Sequence, residues 1–178
     1  MKYAKIKYCD IANGPGIRTS VFVSGCRNAC RGCFNTEAWD FDFGEDFSDE
    51  VQQAVIQSVS NRYASGITLL GGEPMDERNQ EAVLGFIRRV RNTLPDTSIW
   101  LYTGFTLEQL FGLKTARVQC ITPHTDEILA LIDVLVDGPY IDEEHSIMLR
   151  FKGSRNQRII DMKKSIRQKE IVLWTDVE

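Results

Sequence analysis

No stretch of the chain holds the roughly 20 consecutive apolar residues that a membrane-spanning helix needs. The opening MKYAKIKYCD also lacks the apolar core of a secretory signal, so a cytoplasmic protein with no membrane partner is expected. Histidine is scarce: His124 and His145 are the only two, and neither stands at a ligand-like spacing from other metal-binding residues. There is no low-complexity tract, linker or convincing repeat. A length of 178 residues suits one full core rather than two, so residues 1–178 are expected to form a single domain.

The formal charge of -4 is unevenly spread. The last fifth is basic, with Arg150, Lys152, Arg155, Arg158, Lys163, Lys164, Arg167 and Lys169 opposed by Asp161, Glu170, Asp176 and Glu178. This tail lacks the interleaved aromatics of a single-strand binder, so nucleic acid is not expected as a partner. A solvated helix face is the plainer reading.

What the chain does have is strand and helix in alternation. Residues 16–24 (GIRTSVFVS) alternate β-branched and aromatic side chains and read as a strand. Ser48 can cap a helix carried by Val51, Val55, Ile56 and Val59 to about residue 63, which Gly66 breaks before the short buried strand ITLL. Residues 77–93 are helical by the spacing of Val83, Leu84, Ile87 and Val90; Pro95 stops them, and residues 98–102 (SIWLY) form the next strand. A short helix after Thr106, a helix over 124–131, strands over 133–136 and 158–161, and a basic helix complete the series. Such alternation implies parallel strands with crossover helices and ligands at the carboxyl ends of the strands. An eight-fold barrel needs about 250 residues, so a partial barrel or a curved open sheet is expected. The acidic, aromatic segment at 40–50 (DFDFGEDFSDE) has no role derivable from its sequence.

Five cysteines are an odd number, and three of them, Cys26, Cys30 and Cys33, crowd into eight positions directly after the first of these strands. In a reducing compartment that clustering points to metal ligation rather than disulfides. Thiolates separated by three and then two residues can hold three corners of a 4Fe-4S cube, leaving one iron open. The alternative is zinc, which usually takes four ligands; the spacing favours iron and sulfur. Cys9 and Cys120 stand apart and read as small buried apolar side chains. A second constellation, ITLLGGEP, places Gly71, Gly72 and Glu73 at the end of another strand. There the glycines permit close backbone approach to a ligand and Glu73 can receive an ammonium group; alone, the motif is a turn with an exposed acid.

Together, the C-x3-C-x2-C loop and GGEP resemble the two signatures of the radical S-adenosylmethionine (SAM) superfamily. That resemblance implies a partial (β/α) barrel, one 4Fe-4S cluster held by Cys26, Cys30 and Cys33, and SAM bound at the open iron with Gly71, Gly72 and Glu73 around its amino end. The superfamily often has an aromatic residue just before the third cysteine. Gly32 stands there in this chain and Phe34 follows Cys33, which makes Phe34 the candidate neighbour of the adenine. NGPGIRTSVFVSGC, CRGCFN, VDGPY (136–140) and RFKGSRNQRIID (150–161) narrow the resemblance to the proteins that activate anaerobic ribonucleotide reductase.

Membership there implies that a reduced cluster cleaves SAM to methionine and a 5′-deoxyadenosyl radical, which takes a hydrogen from a glycine of the reductase large subunit. It also implies a low-potential electron donor such as flavodoxin. Thr103 and Asp137, at strand ends, either face the SAM site or serve a helix cap and a turn. Arg155, Asn156, Gln157 and Arg158 are candidates for the SAM carboxylate or the reductase, Arg158 foremost, since guanidinium groups fork onto carboxylates. No ferredoxin-like cysteine insert is present. Activation of another glycyl-radical enzyme, such as pyruvate formate-lyase, and a zinc-stabilised binding module are the competing readings.

Overall fold

A computed structural model describes residues 1–175; Asp176 and Glu178, counted above in the tail, lie outside them. The chain builds one mixed sheet of seven strands: β1 (Lys2–Asp10), β2 (Ile17–Val23), β3 (Glu45–Asp46), β4 (Ala64–Gly71), β5 (Ser98–Tyr102), β6 (Val134–Asp137) and β7 (Arg158–Asp161). Their order is β3-β1-β2-β4-β5-β6-β7. The helices are α1 (Asp49–Ser58), α2 (Gln80–Thr93), α3 (Leu107–Leu110), α4 (Thr125–Leu131) and α5 (Met162–Gln168). None among the described residues is long and apolar enough to cross a membrane.

The expected parallel strands form the centre: β2, β4, β5 and β6 pair in parallel. The flanks depart from the expectation. β1 and β3 run antiparallel on one side and β7 antiparallel to β6 on the other. β7 reverses because the chain between β6 and β7 carries only a 3-10 turn and no crossover helix. The 40–50 segment finds its role here. β3 forms the edge of the sheet and covers part of the lysine-bearing strand β1, Lys2 pairs with Asp46, and Tyr3 donates to Glu45 at 2.8 Å.

Element ends shift where tertiary contacts override local pattern. α1 stops at Ser58, and Gly66 lies inside β4 rather than breaking a helix. A Cβ at Gly66 would stand 2.0 Å from the Ser98 carbonyl oxygen, so the glycine admits β5 at close range. α2 begins at Gln80 rather than at residue 77, because the preceding residues turn around Asp76.

Alternation along the strands separates two faces. Val21, Ile67, Leu69, Ile99, Leu101 and Leu135 join the main core with Val55, Ile56, Val83, Leu84, Ile87 and Ile128 from the helices. The opposite face carries Trp100, Val134 and Val136, packed with Tyr102, Phe151, Ile159 and Trp174. Arg18 is buried on that face, and among the described residues it has no carboxylate partner within ion-pair distance. Its guanidinium donates to Thr68 Oγ1 at 2.8 Å and to the carbonyls of Ile67 and Ser98, and lies over the Trp100 ring. Burial pushes its pKa down to about 10.

Candidate functional site

The cysteine loop leaves the carboxyl end of β2 and is tied down before it reaches Cys30. Gly25 and Cys26 donate backbone N–H groups to the carbonyls of Ala38 and Trp39 at 2.8 and 3.0 Å. Gly25 in turn accepts from Glu73 N at 2.8 Å, which couples the loop to the end of β4. Arg27 forks onto Asp76, whose carboxylate is fully buried. Asn79 Nδ2 donates to the carbonyls of Ser24 and Glu73, both at 3.0 Å.

Cys26, Cys30 and Cys33 all line one cleft of about 310 Å³ at the carboxyl ends of the parallel strands. Gly71, Gly72 and Glu73 line it from β4, Tyr102, Thr103 and Gly104 from β5, and Gly138 and Tyr140 from the turn after β6. The thiols are free, and burial, reinforced by the Glu73 carboxyl, pushes Cys26 up to about 12; Cys30 is raised for the same first reason. A buried thiol of this kind stays protonated until a metal displaces its proton. Among the described residues no three Cys, His, Asp or Glu side chains converge as they would on a single ion.

Glu73 sits differently from expectation. It is 1 % exposed, and its two carboxylate oxygens each accept two hydrogen bonds: Oε1 from Met75 N (2.9 Å) and Thr103 Oγ1 (2.7 Å), Oε2 from Asn28 Nδ2 (2.8 Å) and Gly104 N (2.7 Å). It is therefore not the exposed acid of a plain turn: it lines the cleft while joining the cysteine loop to the ends of β4 and β5. Burial pushes its carboxyl up to about 7, against the hydrogen bonds from Thr103, Gly104 and Met75 that favour the ion. Any ligand ammonium must share it with these donors. Gly72 likewise admits backbone rather than leaving room for ligand alone: a Cβ there would meet Gly25 O at 2.6 Å and Ala38 O at 2.9 Å.

Thr103 lines the cleft and donates to Glu73, and the cap of α3 is Thr106 rather than Thr103. Phe34 lines the cleft and is 88 % exposed. Gly32, Asp137 and Arg158 are not among the lining residues. Gly32 backs onto Asp142. Asp137 alternates with Leu135 on the helix-facing side of β6, where it accepts from Leu107 N at 2.7 Å and from Arg158 Nε at 2.9 Å. Arg158 also grips Glu108 at 3.0 and 2.7 Å. These charges fasten α3, β6 and β7 together, and geometry gives them no face on the cleft.

Trp39, Tyr102, Tyr140, Phe151, Lys152 and Gln157 line the cleft without having been singled out as ligand contacts, apart from Gln157. Gln157 turns inward to brace its own loop: Oε1 accepts from Gly153 N and Ser154 N, and Nε2 donates to Gly138 O. Asn156 Nδ2 donates to Pro139 O. VDGPY and RFKGSRNQRIID are therefore two sides of one folded unit.

The chain is a seven-stranded α/β sheet with three cysteines in the loop after β2, and the family described as "4Fe-4S single cluster domain" matches residues 12–160, which places the chain among iron-sulfur proteins. The "Anaerobic ribonucleoside-triphosphate reductase-activating protein" of Pasteurella multocida is 37% identical over 161 residues, covering 89% of this chain and 96% of its own. That of Vibrio cholerae is also 37% identical, covering 89% and 97%, and that of Escherichia coli K12 is 33% identical over 159 residues, covering 88% and 96%. The chain belongs to the family of anaerobic ribonucleoside-triphosphate reductase-activating proteins.

Proposed function

We propose that this chain is a radical SAM enzyme that activates the anaerobic ribonucleotide reductase by placing a glycyl radical on its large subunit. The observation that carries this reading is the meeting of Cys26, Cys30 and Cys33 with Gly71, Gly72 and Glu73 around one cleft. The three cysteines would hold a 4Fe-4S cluster and leave one iron without a protein thiolate. When bound, the reduced cluster would pass one electron, itself taken from a donor such as flavodoxin, to SAM, whose carbon-sulfur bond would break to give methionine and a 5′-deoxyadenosyl radical able to take a hydrogen from glycine. Phe34, beside Cys33 on the open side of the cleft, is suited to stack against a purine. Glu73 and Thr103 fix the polar wall, and Tyr102 and Phe151 supply an apolar one that keeps water from a reactive intermediate.

Anaerobic reconstitution tests the proposal. Protein reduced with dithionite and mixed with SAM and an anaerobic ribonucleotide reductase should give a glycyl-radical signal in electron paramagnetic resonance. Its absence from protein that carries a full cluster refutes the reading. Cys30→Ala should abolish both the brown colour and SAM cleavage.

A further inference from the structure

Among the described residues that line the cleft, Glu73 is the only carboxylate and Lys152 the only basic group. Lys152 is half-buried, and its partners among the described residues are two backbone carbonyls, Gln157 O at 2.8 Å and Arg155 O at 3.2 Å. An ammonium carries three donors, so this grip occupies two and leaves one. The loop that presents Lys152 is set before any ligand arrives. Gln157 Oε1 closes it through Gly153 N and Ser154 N, Ile141 N donates to Ser154 Oγ, and Gly153 packs against the Tyr140 ring. Phe151, next in sequence, is fixed by Tyr102, whose hydroxyl donates to its carbonyl at 2.7 Å. Arg158, the arginine best suited by sequence to a ligand carboxylate, is consumed by Asp137 and Glu108, while Arg155 is exposed.

We infer that Lys152 receives the carboxylate of the ligand's methionyl end, an assignment that rests on the proposed SAM reading of the cleft. The methionyl end of SAM is zwitterionic, and a carboxylate brought into a partly enclosed cleft needs a cation or several donors in place of water. Lys152 is the cation available there. The two carbonyls hold its ammonium at the wall and reduce the side-chain entropy lost on binding. Lys152 is thus a specificity-determining residue: it distinguishes an S-adenosyl sulfonium with a carboxylate from one without.

The test is equilibrium binding to the reconstituted, unreduced protein by isothermal titration calorimetry. The two ligands are SAM and decarboxylated SAM. Lys152→Met should weaken SAM by about tenfold or more, the loss of one charge-assisted hydrogen bond, and leave the decarboxylated ligand unchanged. Lys152→Arg should recover most of the affinity for SAM. An equal loss for both ligands, or no loss for SAM, overturns the assignment and leaves the SAM reading standing. Unaltered protein that carries its cluster and binds no SAM overturns both. Iron and sulfide content is measured in parallel. If Lys152→Met fails to load the cluster, Lys152→Gln, which retains a donor for the two carbonyls, is read in the same way. Loss of the cluster in both variants overturns the assignment in favour of a bracing role.

Discussion

The Arg27 guanidinium meets Asp76 side-on, Nε to Oδ2 at 2.7 Å and Nη2 to Oδ1 at 3.0 Å, and so ties the residue after Cys26 to the turn that starts α2. Asp76 is wholly buried, whereas Arg27 is partly open to solvent. Removing the arginine therefore leaves a carboxylate with less than its needed compensation. Arg27→Met should cost about 1–3 kcal/mol of stability, which lowers the melting temperature by about 2–4 °C per kcal/mol. Because the tie holds the cysteine loop, iron retention should fall as well. Thermal melts and iron analysis check this, and an unchanged melt with full iron refutes it.

Gly72 allows a close crossing of two backbones beneath the same loop. Gly72→Ala would press a methyl group against the carbonyl oxygens of Gly25 and Ala38. Overpacking of this kind costs about 1–3 kcal/mol. The strain would fall at the root of Cys26, so the expected outcome is a chain that folds with a lowered denaturant midpoint and takes up markedly less iron and sulfide. Full iron uptake at wild-type stability would contradict the crossing.

Arg158 offers a clean separation of structural from ligand-binding roles. Arg158→Met leaves Asp137, 1 % exposed, without its charged partner, and should destabilise the protein by about 1–3 kcal/mol. Affinity of the folded, reconstituted variant for SAM should stay within error of the parent, measured by calorimetry well below the melting temperature. A large loss of affinity at unchanged stability would restore the ligand role expected from sequence.

The same cluster predicts an acid response. The hydrogen bond from Arg158 holds the Glu108 carboxyl at about 2, below its ordinary 4.5, with burial opposing. A carboxyl whose folded-state pKa is depressed contributes stability that is fully present above about 4.5 and is lost as pH falls through about 2. Glu108 is partly exposed, so solvent screening keeps the contribution modest. The urea midpoints of the parent and Glu108→Gln should therefore differ at pH 6 and draw together as the pH is lowered from 4.5 towards 2. A gap that does not change with pH refutes the coupling.

Much of the cleft is legible in the chain because its polar groups follow strands directly. Cys26 comes three residues after β2, Gly71 closes β4, and Thr103 follows β5, so one periodicity places all three at one end of the sheet. What escaped depends on partners distant in sequence. Lysines 2, 5 and 7 weaken the strand signal of β1, which forms because β2 and β3 flank it. Asp137 and Arg158 carry the residue types of a ligand site, yet strand alternation turns Asp137 to the helix side and Arg158 follows it. Lys152 gives no local signal at all. Its position depends on Gln157 and on the turn at 138–141.

Residues 172–174 run along β7, with Asp161 N donating to Val172 O and Trp174 N to Ile159 O, and Trp174 packs edge-on against Trp100 and nears Phe151. The wall that carries Phe151 and Lys152 is thus backed by a residue synthesised well over a hundred positions after the cysteines. On the ribosome the three thiols are synthesised before any residue of the opposite wall. The enclosure of the cleft therefore waits on the last part of the chain to be made.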